Sequence, residues 1–266
     1  MKILFIGDIF GKTGISAISK VLQKIKDENK IDFVIANGEN TTNCRSLSST
    51  DYLLLNKYGI DFFTMGNHTW NNDDIYNLLV TKMNIIRPYN INFQHKFSQY
   101  GSGSKIVKIN NFKVRITNLI GNSIRFNNIQ TNPFVSLQEI INFDQSESDF
   151  HIVDFHSEST GEKNALFFEF KGKVSAIIGT HTHIQTADNR VNSGTAFITD
   201  VGSTGPSDGI LGAKPQNIIK YFKNEISHIV VEEETSLNFQ FCAVIIDLNE
   251  QTKQANSIER ILIYGK

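Results

Sequence analysis

Short apolar runs rich in Ile, Val and Phe recur along the chain, and each has the length of a buried β-strand. Seven runs predict strands, at residues 2–6, 33–36, 62–65, 113–118, 150–155, 175–178 and 195–199. Apolar positions three and four residues apart predict amphipathic helices at residues 14–28, 49–58 and 73–79, and more weakly at 136–143. Strand and helix alternate in the early part of the chain, and this order is typical of a layered α/β fold.

Two regions depart from this alternation. Residues 92–118 have the pattern of a β-meander punctuated by Gly101 and Gly103, and residues 239–263 that of two closing antiparallel strands. We therefore expect a sheet with mixed strand pairing, covered by helices. No linker, repeat or low-complexity segment interrupts the sequence, so a single domain over residues 1–266 is the simplest organisation. The turn-rich segment 203–215 is a candidate active-site loop.

Composition and charge exclude several classes of protein. The formal net charge is −1, which gives no long-range field for holding a nucleic-acid backbone. The two cysteines, Cys44 and Cys242, form no CxxC pair, so we expect free thiols in a reducing compartment. No stretch approaches the ~18 apolar residues of a membrane span, and the N-terminal apolar run is too short for a signal peptide. These features favour a cytoplasmic protein without a membrane partner.

Residues that can bind metal ions follow five of the predicted strands directly. They are Asp8, Glu39, Asn40, Asn67, His68, His156, His181 and His183. The carboxyl edge of an α/β sheet is where ligands bind, so we expect these side chains to converge there. Carboxylate, amide and imidazole groups together suit Mn, Fe, Co, Ni or Zn, and a carboxylate can bridge two such ions.

Each of these residues has a simpler explanation when it is taken alone. Asp8 suits a turn or helix cap, Glu39 follows an Asn-Gly turn signal, and a lone His156 is more often a hydrogen-bonded core residue. His181 and His183 form a stronger signal, because alternate residues of an extended segment point the same way. The separate explanations require five independent coincidences at one sheet edge, whereas a single metal site explains all of these residues together.

Three other histidines and one acidic run do not have this placement. His95, His151 and His228 follow no predicted strand end, and we assign them no role. The acidic residues 232–234 are expected to form a solvated face.

At the candidate ligands the sequence resembles the calcineurin-like metallophosphoesterase superfamily. The resemblance is carried by residues 1–11, 36–40, 65–70, 154–160 and 179–188, and by Gly-Ser-Thr-Gly-Pro at 202–206. The usual opening Asp-x-His is here Asp8-Ile9-Phe10, and the usual bridging Asp is replaced by Glu39, followed by Asn40. Both departures are features of the bacterial YmdB-like branch, which is associated with 2′,3′-cyclic-nucleotide 2′-phosphodiesterase activity.

The resemblance implies a layered metallophosphoesterase-type fold, with mixed β-sheets sandwiched by helices, and a centre of two metal ions (Fe, Mn or Zn). It implies that Glu39 bridges the ions and that His68 is the proton donor. The first site would be completed by Asp8, Asn40 and His183, and the second by Asn67, His156 and His181.

The resemblance also implies a small phosphodiester substrate, either a 2′,3′-cyclic or a 3′,5′-cyclic nucleotide, and a homo-oligomer. Two alternatives stay open at this point. One is a phosphomonoesterase or protein phosphatase with the same centre, and the other is a regulatory protein with a vestigial metal site. A nucleic-acid-binding module is disfavoured, because the sequence has no basic patch or aromatic recognition motif.

Overall fold

The computed structural model describes residues 1–126, 129–144 and 147–266. The strands are β1 Lys2–Ile6, β2 Asp8–Ile9, β3 Phe33–Asn37, β4 Phe62–Thr64, β5 Ser104–Ile109, β6 Phe112–Ile120, β7 Phe150–His156, β8 Ala176–Thr180, β9 Arg190–Asn192, β10 Thr195–Ile198, β11 Ser203–Pro206, β12 Phe239–Leu248 and β13 Ala255–Gly265. The α-helices are α1 Gly11–Asn29, α2 Ser49–Lys57, α3 Asp74–Thr81, α4 Pro133–Asp144, α5 Thr160–Phe170 and α6 Pro215–Phe222.

The strands of the described residues form two mixed sheets. In the first sheet the order is β2-β11-β12-β1-β3-β4, with β13 also paired to β12. In the second sheet the order is β5-β6-β7-β8-β10-β9. Strands β1, β3 and β4 run parallel in one sheet, and β6, β7, β8 and β10 run parallel in the other. The expected α/β fold with mixed sheets and covering helices is confirmed.

Alternate residues of β1 face different layers of the molecule. Ile3 and Phe5 belong to a buried cluster that joins the two sheets, with Ile152 and Ile178 as members from the second sheet. Leu4 and Ile6 belong to a cluster that includes buried residues of α1, α2 and α3. The outer face of the second sheet is covered by α4 and α5 in a third cluster. Because these central strands are buried on both faces, their sequences are unbroken apolar runs.

Several sequence-based expectations need correction. In the 92–118 region, only β5 and β6 pair as strands, and residues Lys96–Gln99 form a short 3-10 helix instead of part of a meander. Helices α5 and α6 were not predicted, and neither were the short strands β2, β9 and β11. The first part of the 203–215 segment is β11, and only the remainder is a loop followed by the start of α6.

The acidic run 232–234 is not uniformly a solvated face. The Glu233 carboxylate accepts a hydrogen bond of 2.8 Å from the backbone N–H of Thr13, in the first turn of α1. A carboxylate at this position satisfies a free N–H group of the helix and interacts favourably with the helix dipole. Glu233 therefore fixes a late segment of the chain to the start of the first helix.

A fully buried ion pair ties α5 to the carboxyl edge of the second sheet. Lys163 Nζ lies 2.7 Å from Asp200 Oδ2, and both side chains are shielded from solvent. The same oxygen accepts hydrogen bonds from the backbone N–H and the hydroxyl of Thr182, and Asp200 Oδ1 accepts one from the Gly202 N–H. Asp200 thus braces the turn that carries His181 and His183. Among the described residues, no helix is long and apolar enough to cross a membrane.

Replacing Lys163 with Met tests this brace. The substitution keeps most of the side-chain volume but leaves the Asp200 charge buried without its cation, which typically costs about 3–5 kcal/mol. We expect a loss of that size in the free energy of unfolding, measured by urea denaturation. Lys173→Met, which removes an exposed partner of Glu169, is the control and should have little effect. Equal losses in the two variants would contradict the structural role of the buried pair.

Candidate metal centre

Loops at the carboxyl ends of five parallel strands bring the candidate ligands to one edge of the two sheets. Asp8 follows β1, Glu39 and Asn40 follow β3, and Asn67 and His68 follow β4. His156 is the last residue of β7, and His181 comes directly after β8. All eight predicted residues lie at this edge, and their roles as metal ligands or proton donor stay predictions.

His156 Nε2 is the point on which the central side chains converge. It lies 2.8 Å from Glu39 Oε1, 3.0 Å from Asn67 Oδ1 and 3.0 Å from His181 Nδ1. The candidate ligand atoms of Glu39, His156 and His181 all lie within 4.8 Å of one another. Side chains from both sheets therefore form one compact group.

The hydrogen-bond partners of the two histidines assign their protons and so identify the free lone pairs. The Thr180 hydroxyl donates to Asp154 over 2.7 Å, so His156 Nδ1 is the donor in its 2.8 Å hydrogen bond to the same hydroxyl. His181 Nε2 lies 2.9 Å from a Glu158 carboxylate oxygen, which can only accept a proton. When both imidazoles are neutral, these outer partners leave lone pairs on His156 Nε2 and His181 Nδ1 that are directed at each other, and these are the tautomers that metal coordination requires.

Such a group of acceptors needs positive charge. Burial disfavours a charged imidazole, but the Glu39 carboxylate outweighs burial and raises the pKa of His156 to about 9. Burial likewise opposes ionisation of Glu39, yet His156 holds the pKa of that carboxyl well below its usual range. Burial, reinforced by charge on His156, lowers the pKa of His181 to about 2. One proton directed from Nε2 cannot satisfy a carboxylate, an amide oxygen and an imidazole together, whereas a metal cation can, so the residues fit a metal.

A second group lies beside the first, on the side of Asp8. Asp8 is fully buried; its Oδ2 accepts a hydrogen bond of 3.1 Å from the His181 backbone N–H, and among the described residues its Oδ1 has no hydrogen-bond partner. Burial raises the pKa of Asp8. His183 Nδ1 donates to the Leu211 carbonyl over 3.1 Å, so its Nε2 carries a lone pair, which accepts a hydrogen bond of 3.2 Å from Asn40 Nδ2. Asp8 and His183 do not belong to the compact group around His156, but both present acceptor atoms next to it, and that of Asp8 has no partner among the described residues.

The backbone at this edge has unusual conformations. His181 and His183 have φ values of 99° and 66°, in a region that side chains other than glycine rarely adopt. The extended segment expected for these two histidines is therefore wrong, since they lie in a bend of the backbone that Asp200 holds through Thr182. Such strain persists only where surrounding contacts enforce it, and it is common at functional sites.

Gly66 shows how tightly the central group is packed. A Cβ atom at this position would lie 2.4 Å from Glu39 Oε2 and 2.5 Å from His156 Nε2. Glycine is needed here because any side chain would occupy the space where the two candidate ligands meet.

His68 lies at the rim of the centre. Its backbone N–H donates a hydrogen bond of 2.8 Å to Glu39 Oε2. Its side chain lines a cavity of about 380 Å³ together with Glu39, Asn40, His181 and His183. A group in this position can reach a molecule in the cavity, and His68 does not need to be a metal ligand for the central group to form.

Several residues of the site were missed by sequence reasoning. Thr180 and Asp154 orient His156, Glu158 orients His181, and the Leu211 carbonyl orients His183. Arg45 lines the cavity and forms no ion pair within the described part of the chain. Glu158 and Asp154 lie close to His156 in sequence, which was a usable signal, but nothing local marks Arg45 or Leu211.

The histidines without a predicted role lie in other environments. His151 is buried and hydrogen-bonded to Thr117, and burial lowers its pKa to about 3. His95 accepts a hydrogen bond from the backbone N–H of Phe97, and His228 contacts Ser227.

Comparison with known proteins agrees with this geometry. The chain is 41% identical to the 2′,3′-cyclic-nucleotide 2′-phosphodiesterase of Bacillus subtilis, over 99% of this chain and 97% of that protein. The crystal structure of a phosphatase from Mycoplasma pneumoniae superposes with a TM-score of 0.95 at 38% identity, over 99% of this chain and 93% of the other. A Thermus thermophilus protein described as hypothetical superposes with a TM-score of 0.89 at 28% identity, and each chain is fully covered.

The sequence profile of the family described as YmdB-like protein matches residues 4–261, which is nearly the whole chain. This match confirms the resemblance that the strand-end motifs indicated. The chain belongs to the YmdB-like protein family.

Proposed function

We propose that this protein is a metal-dependent phosphodiesterase that hydrolyses small cyclic phosphodiesters. The observation that carries the proposal is the convergence of Glu39, Asn67 and His181 lone pairs on His156 Nε2 within 3.0 Å. The name of the Bacillus subtilis relative supports a 2′,3′-cyclic nucleotide as substrate, and the Mycoplasma pneumoniae neighbour supports phosphoric ester hydrolysis more broadly.

The donor set supports two neighbouring cations, such as Fe, Mn or Zn. Asn67, His156 and His181 would hold one ion, Asp8, Asn40 and His183 the other, and Glu39 would bridge them. When bound, such a pair of ions lowers the pKa of water and stabilises the charge that develops on a phosphoryl group.

The protein's own residues would perform the remaining steps. Glu158, Thr180 and the Leu211 carbonyl hold three imidazoles in the tautomers and orientations that ligation requires. Arg45 supplies a guanidinium to the cavity, where it would attract and orient an anionic phosphodiester. His68 would donate a proton to the leaving oxygen.

With a 2′,3′-cyclic nucleotide, the reaction adds water across the phosphorus–O2′ bond. The water oxygen bonds to phosphorus, the bond from phosphorus to O2′ breaks, and His68 protonates O2′, which gives a nucleoside 3′-phosphate. The proton lost by the attacking water replaces the one that His68 gave up, so the reaction balances. A 3′,5′-cyclic nucleotide would open by the same chemistry at one of its two ester bonds.

The bridging role of Glu39 predicts that Glu39→Ala loses both metal ions. Removing the buried carboxylate takes away the shared ligand and the negative charge that offsets two cations. We expect metal analysis of the purified variant to give less than about a tenth of the wild-type content, with no measurable turnover. The exposed Glu169→Ala is the matched control and should keep full metal content. An active, fully loaded Glu39→Ala enzyme would exclude the bridging role.

The proton-donor role of His68 predicts a loss that depends on the leaving group. His68→Ala should keep its metal ions but lose about 10²–10⁴-fold in kcat on 2′,3′-cyclic AMP, whose ribose oxygen leaves as a poor leaving group. The loss should be far smaller on bis-p-nitrophenyl phosphate, because p-nitrophenolate departs without protonation.

Two results would argue against this assignment of His68. Equal losses on the two substrates would show that His68 acts in binding or positioning instead of proton transfer. Loss of metal in His68→Ala would make it a ligand.

A phosphomonoesterase with the same centre is the second candidate, favoured by the description of the Mycoplasma pneumoniae neighbour as a phosphatase. Comparison of kcat/KM for bis-p-nitrophenyl phosphate and p-nitrophenyl phosphate separates the two activities. We expect the diester to be the better substrate, and a strong preference for the monoester would favour the alternative.

A further inference from the structure

One side of the cavity beside the candidate metal centre is apolar. Its lining residues, which we name the apolar wall, are Phe10, Leu211, Ile218, Phe222, Ile229 and Val231. The charged residues that line the cavity are Glu39, Arg45 and Glu158. The two glutamates contact His156 and His181 of the centre. The cavity therefore has a polar side next to the candidate ligands and an apolar side made by a different part of the chain.

The apolar wall is a packed structure and not a loose loop. Phe10, Cys44, Ala213 and Ile218 form a buried cluster, against which Ile210, Ile229 and Val231 pack. Two backbone hydrogen bonds join the ends of the segment 212–234, one from the Glu234 N–H to the Gly212 carbonyl and one from the Lys214 N–H to the Glu232 carbonyl. The Glu233 carboxylate anchors it to the start of α1. The apolar wall thus has a defined position relative to the centre.

Direct contacts join the apolar wall to the centre. The Leu211 carbonyl accepts the 3.1 Å hydrogen bond from His183 Nδ1. The Phe10 ring packs edge-on against the His183 ring, with 5.6 Å between the ring centroids. A molecule whose phosphate reaches the candidate ligands therefore has the apolar wall within its own length.

Part of the apolar wall is exposed to solvent and does not contribute to a packed core. The Phe222 side chain is 77% exposed and that of Leu211 is 46% exposed, although both line the cavity. Exposed apolar surface that borders a concave polar site commonly binds a ligand. A phosphate ester alone offers nothing for this surface to contact, whereas a flat, weakly hydrated ring does.

We infer that the apolar wall is the binding site for the base of a nucleotide substrate, with Phe222 and Leu211 as specificity-determining residues. This inference rests on the proposed phosphodiesterase function and adds the part of the substrate that the metal centre does not contact. The cavity of about 380 Å³ lies in the range of small-ligand sites, so it suits one mononucleotide and not a chain of several.

The test compares two substrates that differ only in the base. One is 2′,3′-cyclic AMP, and the other is methyl β-D-ribofuranoside 2,3-cyclic phosphate, which keeps the ribose and the cyclic phosphate but carries a methoxy group instead of adenine. In the wild-type enzyme the nucleotide should have the higher kcat/KM. In Phe222→Ser the ratio of the two kcat/KM values should fall about 5- to 100-fold, the range expected when one base–aromatic contact is lost.

Two further variants make the comparison specific. Phe222→Trp keeps an aromatic face and should retain most of the wild-type ratio. Phe143→Ser removes a similarly exposed phenyl group, 79% accessible, from α4 on the outer face of the second sheet, and should leave both the ratio and the activity unchanged. Circular dichroism and Tm should be the same for all variants, because exposed side chains contribute little to the core.

Binding gives a readout that does not depend on turnover. In saturation-transfer difference NMR with adenosine 3′-monophosphate, the adenine H2 and H8 protons should receive the strongest saturation from the wild-type protein. Phe222→Ser should lose this preference, and Phe143→Ser should keep it.

Several outcomes would overturn the inference while leaving the proposed function intact. One is equal wild-type kcat/KM for the two substrates, and another is a Phe222→Ser variant that loses activity on both in proportion. An unchanged ratio with a smaller oligomer in sedimentation would assign the apolar wall to a subunit contact. If the wild-type enzyme with its metals hydrolysed neither substrate, the proposed function itself would fail.

Discussion

The structure of the site depends on one constraint, which is that the Glu39 carboxylate is buried beside the lone pairs of Asn67, His156 and His181. Acceptor groups repel one another in a region of low dielectric constant, so this arrangement is stable only when a proton or a cation lies among them. In the neutral imidazoles of His156 and His181, outer hydrogen bonds hold the protons on the far nitrogens. Holding these acceptor groups together lowers the stability of the fold, and such an arrangement is typical of a functional site and not of a core.

The central strands could be predicted because they are buried on both faces, and this produces unbroken apolar runs such as that of β1. Helix α5 was missed because its apolar stripe is interrupted by Lys163, which is buried only through its pairing with Asp200. A signal was present, since residues 159–162 have the Ser-x-x-Glu sequence of a capping box, and the Ser159 hydroxyl accepts a hydrogen bond from the Glu162 N–H. The contact between Glu233 and α1 joins residues 220 positions apart, and no local pattern can reveal it.

The candidate ligands could be predicted from sequence because parallel strands end at the same edge of their sheet. The packing of the two sheets, which brings the two edges together, is not visible in the sequence. The orientation of the ligands could not be predicted either, because it depends on side chains and carbonyls from elsewhere, such as Glu158 and Leu211. The positive φ angles of His181 and His183 also depend on a distant residue. Asp200, which follows β10, holds the backbone between the two histidines through Thr182. Sequence patterns therefore locate chemically capable residues, but the contacts that select a tautomer or a strained conformation are visible only in three dimensions.

The candidate metal centre and the apolar wall are formed mainly by different parts of the sequence, and a backbone hydrogen bond links them. Candidate ligands come from strand ends between Asp8 and His183, whereas the wall is formed mainly by residues 211–231. The hydrogen bond between them uses the backbone carbonyl of Leu211, which any residue at that position would supply. Because the side chain at 211 takes no part in this bond, it can change without altering the tautomer of His183. If the wall binds the base as proposed, a substitution of the Leu211 side chain would therefore alter which substrate binds and leave the orientation of His183 unchanged.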